Sequence, residues 1–205
     1  MSIFFSSPSF KFVKLYTFLG FKFYNFQKFK GGKMRRKDRE LSAQEGLAII
    51  DACEYGTISC VGEEGEIFSV PISVVREGES VFLHGAPVGS KAKLLKDGKS
   101  VTLVCVSYAR VPVLTDEQLD AIKDDGKALG AKVFTTEYKS AVAVTKAYVV
   151  TDEAARLHAL RLLSEKYTPN YMRTFDVAAA HGLKAMNIYE LKIASITAKA
   201  KIIRD

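Results

Sequence analysis

After Met34 the apolar positions fall into short runs with clear punctuation. Ser42-Ala43-Gln44-Glu45 is a capping box, and Leu47, Ile50 and Cys53 follow at helical spacing, so a short helix ends near Tyr55-Gly56. TISCV at 57–61 is β-branched and predicts a strand, and Gly62 to Gly65 predicts a turn. EIFSVPISVV at 66–75 predicts a second strand, and Gly78 closes a hairpin into a third at 80–85. Residues 90–97 read as a short helix ended by Gly98, and 101–108 as a continuous buried strand. Thr115 to Gln118 is a second capping box, opening a helix that ends around Gly126, and 127–140 reads as a linking segment. A strand follows at 141–150. Thr151-Asp152-Glu153 then opens a strong helix through Lys166, with Leu157, Leu160 and Leu163 on its inner face. Tyr167 to Asn170 is a loop, 173–181 a weaker helix, and the alternation of 186–197 a last strand.

Six strands joined mostly by short turns exclude a doubly wound parallel sheet, which needs a helix after nearly every strand. The pattern predicts a mainly antiparallel β-barrel with peripheral helices, an α+β fold. Pro71 lacks an N–H and disfavours a central place in the second strand. Alternation there puts Phe68, Val70, Ile72 and Val74 on one face and Ser69, Pro71 and Ser73 on the other.

Composition sharpens the boundary at Met34. Of the formal net charge of +7 in 205 residues, six units come from Lys11, Lys14, Lys22, Lys28, Lys30 and Lys33. Residues 1–33 hold no acid and carry nine of the thirteen Phe, while the remainder is nearly neutral. A secretory signal is disfavoured because Lys interrupts the apolar run and no A-x-A follows. A membrane-surface helix is disfavoured because Phe18, Phe21, Phe23, Phe26 and Phe29 make a poor stripe. A nucleic-acid arm would rest on this segment alone and lacks Arg. The string KGGKM is what a purine-rich ribosome-binding site ahead of a start codon yields when translated. Residues 1–33 are therefore expected to be a non-domain extension, disordered or translated from upstream sequence, and 34–205 the domain. No apolar run approaches the roughly 18 residues of a membrane span. Cys53, Cys60 and Cys105 form no CxxC pair and read as reduced, buried apolar residues of a cytoplasmic protein. Neither nucleic acid nor membrane is expected as a partner.

Candidate chemistry concentrates between 66 and 97. The small-residue face beside Pro71 is a place where a flat ligand can meet main-chain groups, or an ordinary edge strand. In HGAPVGSKAKLL a glycine-rich turn leads into a helix beginning Ser90-Lys91. Its N-terminal amides, hydroxyl and ammonium suit a phosphate, although the spacing is not that of a P-loop. His84 ends the strand before that turn and can stack, hydrogen-bond or deliver a proton. His158 and His181 read as structural or solvated. No spacing suggests a zinc site, no metal is expected, and no G-x-S-x-G motif appears.

EYGTISCV followed by FSVPISVVREGESVFLHGAPVGSKAKLLKDGKSVTLVCV, extended by SYARVP and KVFTTEYKSA, resembles the flavin-binding split-barrel proteins of the pyridoxamine 5′-phosphate oxidase superfamily. Within it the likeness is to nitroimidazole-resistance and related flavin-nucleotide-binding proteins. The resemblance covers about 34–200. It implies a homodimer with FMN at the subunit interface. It implies that the main chain of Val70, Pro71, Ile72 and Ser73 meets the flavin, that His84 and Gly85 line it, and that Ser90 and Lys91 bind its phosphate. It implies an FMN-dependent oxidoreductase of nitroimidazole-reductase type acting on a small-molecule electron acceptor, with His84 nearest the reacting face. The other reading is a flavin or haem carrier without turnover. Two departures matter: Ser90 stands where many relatives have Arg, and ITAKAKIIRD lacks the Arg- and His-containing motif of vitamin B6 oxidation.

Overall fold

A computed structural model of the chain describes residues 34–203. The expectation for residues 1–33 lies outside the described residues. In chain order the elements are β1 (Glu40–Leu41), α1 (Ala43–Ala52), β2 (Gly56–Val61), β3 (Ile67–Ile72), β4 (Val75–Glu77) and β5 (Ser80–Gly85). They continue with α2 (Ser90–Leu94), β6 (Lys99–Arg110), α3 (Asp116–Asp120), α4 (Gly126–Lys132) and β7 (Glu137–Val150). The chain closes with α5 (Glu153–Tyr167), α6 (Phe175–Gly182) and β8 (Asn187–Lys201).

One eight-stranded sheet runs in the order β3-β2-β6-β7-β8-β5-β4, with β1 added beside β8. Every pairing is antiparallel. β3 and β4 occupy opposite ends of this order yet are consecutive in the chain, joined only by Ser73 and Val74. The three steps from Ile72 to Val75 span about 11 Å at most. The sheet must therefore curl until its two ends nearly meet, without a ladder between them. That is a split barrel, and it matches the expected fold class.

At this seam the main chain of Val74 is fully buried. Its N–H donates to the Tyr167 hydroxyl at 2.9 Å, and that hydroxyl donates back to the Val74 carbonyl at 2.9 Å. The Lys166 ammonium donates to the same carbonyl at 2.9 Å and to the Ile50 carbonyl at 3.3 Å. The end of α5 thus supplies the partners a neighbouring strand would otherwise give. Burial pushes the Tyr167 phenol up, against the opposing pull of the Val74 N–H, so it stays an O–H donor at neutral pH. Beside the seam, Arg76 of β4 grips Asp51 of α1 with both arms of its fork, at 2.8 and 2.5 Å.

The inward faces of the strands supply the main core, including Ile58, Val81, Leu83, Leu103 and Leu191, capped by Ile49 and Ile50 of α1. All three cysteines are free and buried in it, as expected. α1 begins on its capping box, with Ser42 N–H to Glu45 Oε2 at 2.8 Å and Glu45 N–H to Ser42 Oγ at 3.2 Å.

Three expectations need correction. The strand at 66–75 is two strands, because the chain crosses from one sheet end to the other at Ser73-Val74. The segment 127–140 is not a plain link. Asp125 Oδ1 accepts from the amides of Lys127 and Ala128, each at 2.9 Å, and so starts α4, while β7 already begins at Glu137. Leu157 does not face inward; it is 36% exposed. The inner face of α5 is set by Ala159 and Leu163, and by Arg156, whose guanidinium donates to the carbonyls of Leu183 and Met186 at 2.6 and 2.8 Å. Leu157 lies about 100° around the helix from Arg156.

At the far end of the β6–β7 hairpin Glu137 is only 2% exposed. Its Oε1 accepts the Ile203 N–H at 2.8 Å, and its Oε2 accepts from Arg110 at 2.8 and 3.0 Å and from the Tyr108 hydroxyl at 3.1 Å. The Ile203 amide, then Arg110 and Tyr108, hold its carboxyl below the usual carboxylate range against the upward push of burial. A carboxyl depressed in the fold stabilises it above the ordinary range, and this contribution is lost as pH falls through the lowered value.

Two outcomes follow. Tyr167→Phe removes both hydroxyl bonds and leaves the buried Val74 N–H without a partner, so the urea midpoint should fall by the equivalent of about 1–3 kcal/mol. Glu137→Gln should lower the thermal midpoint at pH 7 and flatten its decline on acidification below the ordinary carboxylate range. An unchanged pH profile would show that Glu137 does not carry the acid sensitivity.

Candidate functional site

β3 is the end strand of the sheet, and Pro71 sits on it. The Gly62 N–H donates to the Glu66 carbonyl at 2.7 Å. Carried down the register, this alternation turns the main-chain groups of Phe68, Val70 and Ile72 toward β2. Those of Ser69 and Pro71 then turn to the free edge, where a residue without an N–H costs nothing. Val70 and Ile72 are half-buried with their side chains on the main core, while Ser69 and Pro71 are exposed. Ser73 leaves the strand toward the seam and is half-buried there.

His84 and Gly85 end β5, paired with Ile188 and Asn187 of β8. Leu83 before them is buried without exposure, and alternation turns His84 outward, where it is exposed. Gly85 is buried because the stem of Lys91 lies across it. A Cβ at Gly85 would stand 2.9 Å from Lys91 Cε and 3.1 Å from its Nζ. Glycine at 85 therefore lets the lysine fold back over the strand end. Loss of water around the ring, and then the Lys91 charge, lower the His84 pKa below its ordinary 6.5. His84 is thus a neutral imidazole at pH 7, an orienting or accepting group before it is a proton donor.

Gly89, at φ +91°, turns the chain into α2. No side chain caps this helix. Its first amides, the exposed Ser90 hydroxyl and the Lys91 ammonium form one set of donors.

The structure therefore joins His84, Gly85 and Lys91 directly and places Ser90 beside them in sequence. It does not join them to Val70–Ser73. Among the described residues no hydrogen bond links the two groups, and β2, β6, β7 and β8 lie between β3 and β5 in the sheet order. Ser69 is a residue whose edge position the pattern reading grouped with Pro71 without assigning it a role. Its signal is the parity of the hairpin register.

The donor set around α2 has the chemistry of a site for a phosphate monoester. Main-chain amides, one hydroxyl and one ammonium belong to its first two residues, with no acidic side chain in the first turn. The open edge of β3 adds the Ser69 amide and the carbonyls of Ser69 and Pro71. Both fit the parts of a flavin mononucleotide. Among the described residues no three His, Cys, Asp or Glu side chains cluster to hold a metal. No helix among them is long and apolar enough to cross a membrane.

Comparison with solved structures extends the picture. The chain is similar to the flavocytochrome Anf3 of Azotobacter vinelandii, with 19% identity over 84% of this chain and 75% of that one, at a TM-score of 0.64. It is similar to the FAD and heme binding protein of Mycobacterium smegmatis, with 19% identity over 82% and 76%, at a TM-score of 0.63. It is also similar to a candidate 5-nitroimidazole antibiotic resistance protein of Bacteroides thetaiotaomicron, with 17% identity over 78% and 86%, at a TM-score of 0.58. These identities establish a shared fold. No curated protein matches the chain. The sequence profile of the family described as pyridoxamine 5′-phosphate oxidase matches residues 42–200, which takes in β2 to β7, nearly all of β8, both free sheet ends and α2. The split barrel and this match agree: the chain belongs to the pyridoxamine 5′-phosphate oxidase family.

Proposed function

We propose that the protein binds FMN and is an oxidoreductase of nitroimidazole-reductase type, passing electrons to a nitro compound or a similar small acceptor. The observation that carries this reading is the cluster at the end of β5, where Lys91 folds across Gly85 beside the exposed His84. Ser90, Lys91 and the first amides of α2 would hold the cofactor's phosphate. Gly85 would leave room for the Lys91 stem that carries the ammonium to the cofactor. The segment Val70–Ser73, with Ser69, would offer the edge of β3 to its ring. FMN, when bound, supplies the redox chemistry, and the protein supplies position and access.

The chain's own residues have clear tasks. Lys91 contributes positive charge where an anion would sit, and burial of the ring, with that charge second, holds the His84 pKa below its ordinary value. A neutral, outward imidazole orients an acceptor by hydrogen bonding. Donating a proton becomes its role only as pH falls. The two groups, at β3 and at β5, lie on different parts of one barrel, and a second copy of the chain bringing its own β3 edge or outer sheet face to the site would complete it. Homodimerisation is therefore part of the reading.

A second reading rests on the same imidazole. A neutral, exposed His84 would also suit holding a haem iron, which would make the protein a flavin or haem carrier.

The visible spectrum of the purified full chain separates these. Flavin bands with release of FMN on denaturation are expected. A Soret band would replace the first reading with the second, and protein that takes up neither group would overturn both. Lys91→Ala should weaken FMN binding about tenfold or more, the loss of a charge-assisted bond, measured by fluorescence quenching. His84→Ala should lower turnover of a nitroaromatic acceptor with flavin still bound. Unchanged turnover would remove His84 from the mechanism.

A further inference from the structure

A cavity of about 310 Å³ lies where β6 ends, away from the His84–Lys91 group. It is walled by the segment after Arg110, by α3, by the end of α4, and by Ile203 after β8. Its size falls at the small end of ligand pockets, which run from roughly 300 to 1,000 Å³.

One side is apolar. Pro112, Leu114, Ile122 and Ile203 all line it, and all are only half-buried although they come from three different parts of the chain. Nothing else in the described residues covers them there. Each keeps apolar surface turned to the cavity, and covering that surface is favourable by about 25 cal/mol per Å².

The charges select the occupant. Glu137 at the base is buried, and both its oxygens are engaged by Ile203, Arg110 and Tyr108. Arg110 is bound to that carboxylate. Lys132 lines the cavity from the end of α4, is exposed, and makes no ion pair among the described residues. Arg110, Lys132 and Glu137 together leave one positive charge. Among the described residues a cation would find no open acceptor carboxylate here, and a polyanion would have to lie against Glu137. A single negative charge on an apolar body meets both walls.

We propose that this cavity binds a small amphipathic carboxylate, its anionic end on Lys132 and its apolar body against Leu114, Ile122 and Ile203. The site is separate from the cofactor cluster and stands whether or not that cluster binds FMN.

Octanoate, octanol and octylammonium titrated into the isotope-labelled full chain test this by amide shifts. Octanoate should give saturable shifts confined to residues 110–122, 132–137 and 203, octanol weaker ones, and octylammonium none. Lys132→Glu should weaken octanoate binding about tenfold. Ile122→Trp, which fills the cavity, should abolish it while the thermal midpoint is retained. If Ile122→Trp fails to fold, the Lys132→Glu comparison with the three probes still decides. Equal binding of all three probes, shifts centred elsewhere, or an affinity unchanged by Lys132→Glu would overturn the assignment.

Discussion

Val74 is the place where the sheet meets its own end and does not pair with it. An ordinary barrel satisfies every main-chain donor and acceptor by closing the ladder. Here the ladder stops, and a buried N–H and C=O would stand unpaired at a cost of several kcal/mol in apolar surroundings. One tyrosine hydroxyl satisfies both, with a lysine ammonium as a third partner. The rest of the architecture depends on that substitution of a helix end for a strand. It fixes where α5 must dock. It holds α1 through the Ile50 carbonyl. It also leaves β3 as a free edge, because the seam is closed by side chains and not by a neighbouring strand.

The free edge and the end of β5 are two consequences of the same geometry. Curling the sheet brings β4 and β5 to one side of the seam and β3 to the other. Each side ends in main chain that the barrel does not use. On β3 these are the outward groups of Ser69 and Pro71. On β5 the strand ends in Gly85, followed by a glycine turn and an uncapped helix start. Unused donors at a surface that is otherwise nearly neutral are what make these positions available to an anionic or flat ligand. The cavity beyond Arg110 has another origin, the long β6–β7 hairpin, whose tip is filled out by short helices that do not pack completely.

Local chemistry was legible from the chain and long-range closure was not. Ser42 and Glu45 announce α1 by a reciprocal bond three residues long, and alternation in 57–85 announces strands, three by pattern where the fold makes four. Pro71 announces an edge, because a missing N–H has one kind of place in a sheet. The neighbourhood of His84, Gly85 and Lys91 was visible as a short stretch, although only coordinates show the lysine lying over the glycine. Asp125-Gly126 read as an ending when it is a beginning, since glycine marks both and the aspartate's bonds to the next amides decide. Leu157 shared an apolar character with Leu163 but not its face. The relation of Val74 to Tyr167 had no local sign at all. Nor had the cavity, whose walls come from segments scattered between Arg110 and Ile203.

The seam also orders events in time. Tyr167 follows Val74 by 93 residues, so the partners of that buried main chain do not yet exist when β2 to β5 leave the ribosome. Those strands can form hairpins but cannot close on one another, and the barrel remains open until α5 and then β8, the strand that joins β7 to β5, have been made. Contacts of such sequence separation form slowly relative to local ones. The nascent chain therefore carries its unsealed edges through the synthesis of more than half the domain, and completion of the shell waits on α5 and on the strand that ends the described chain.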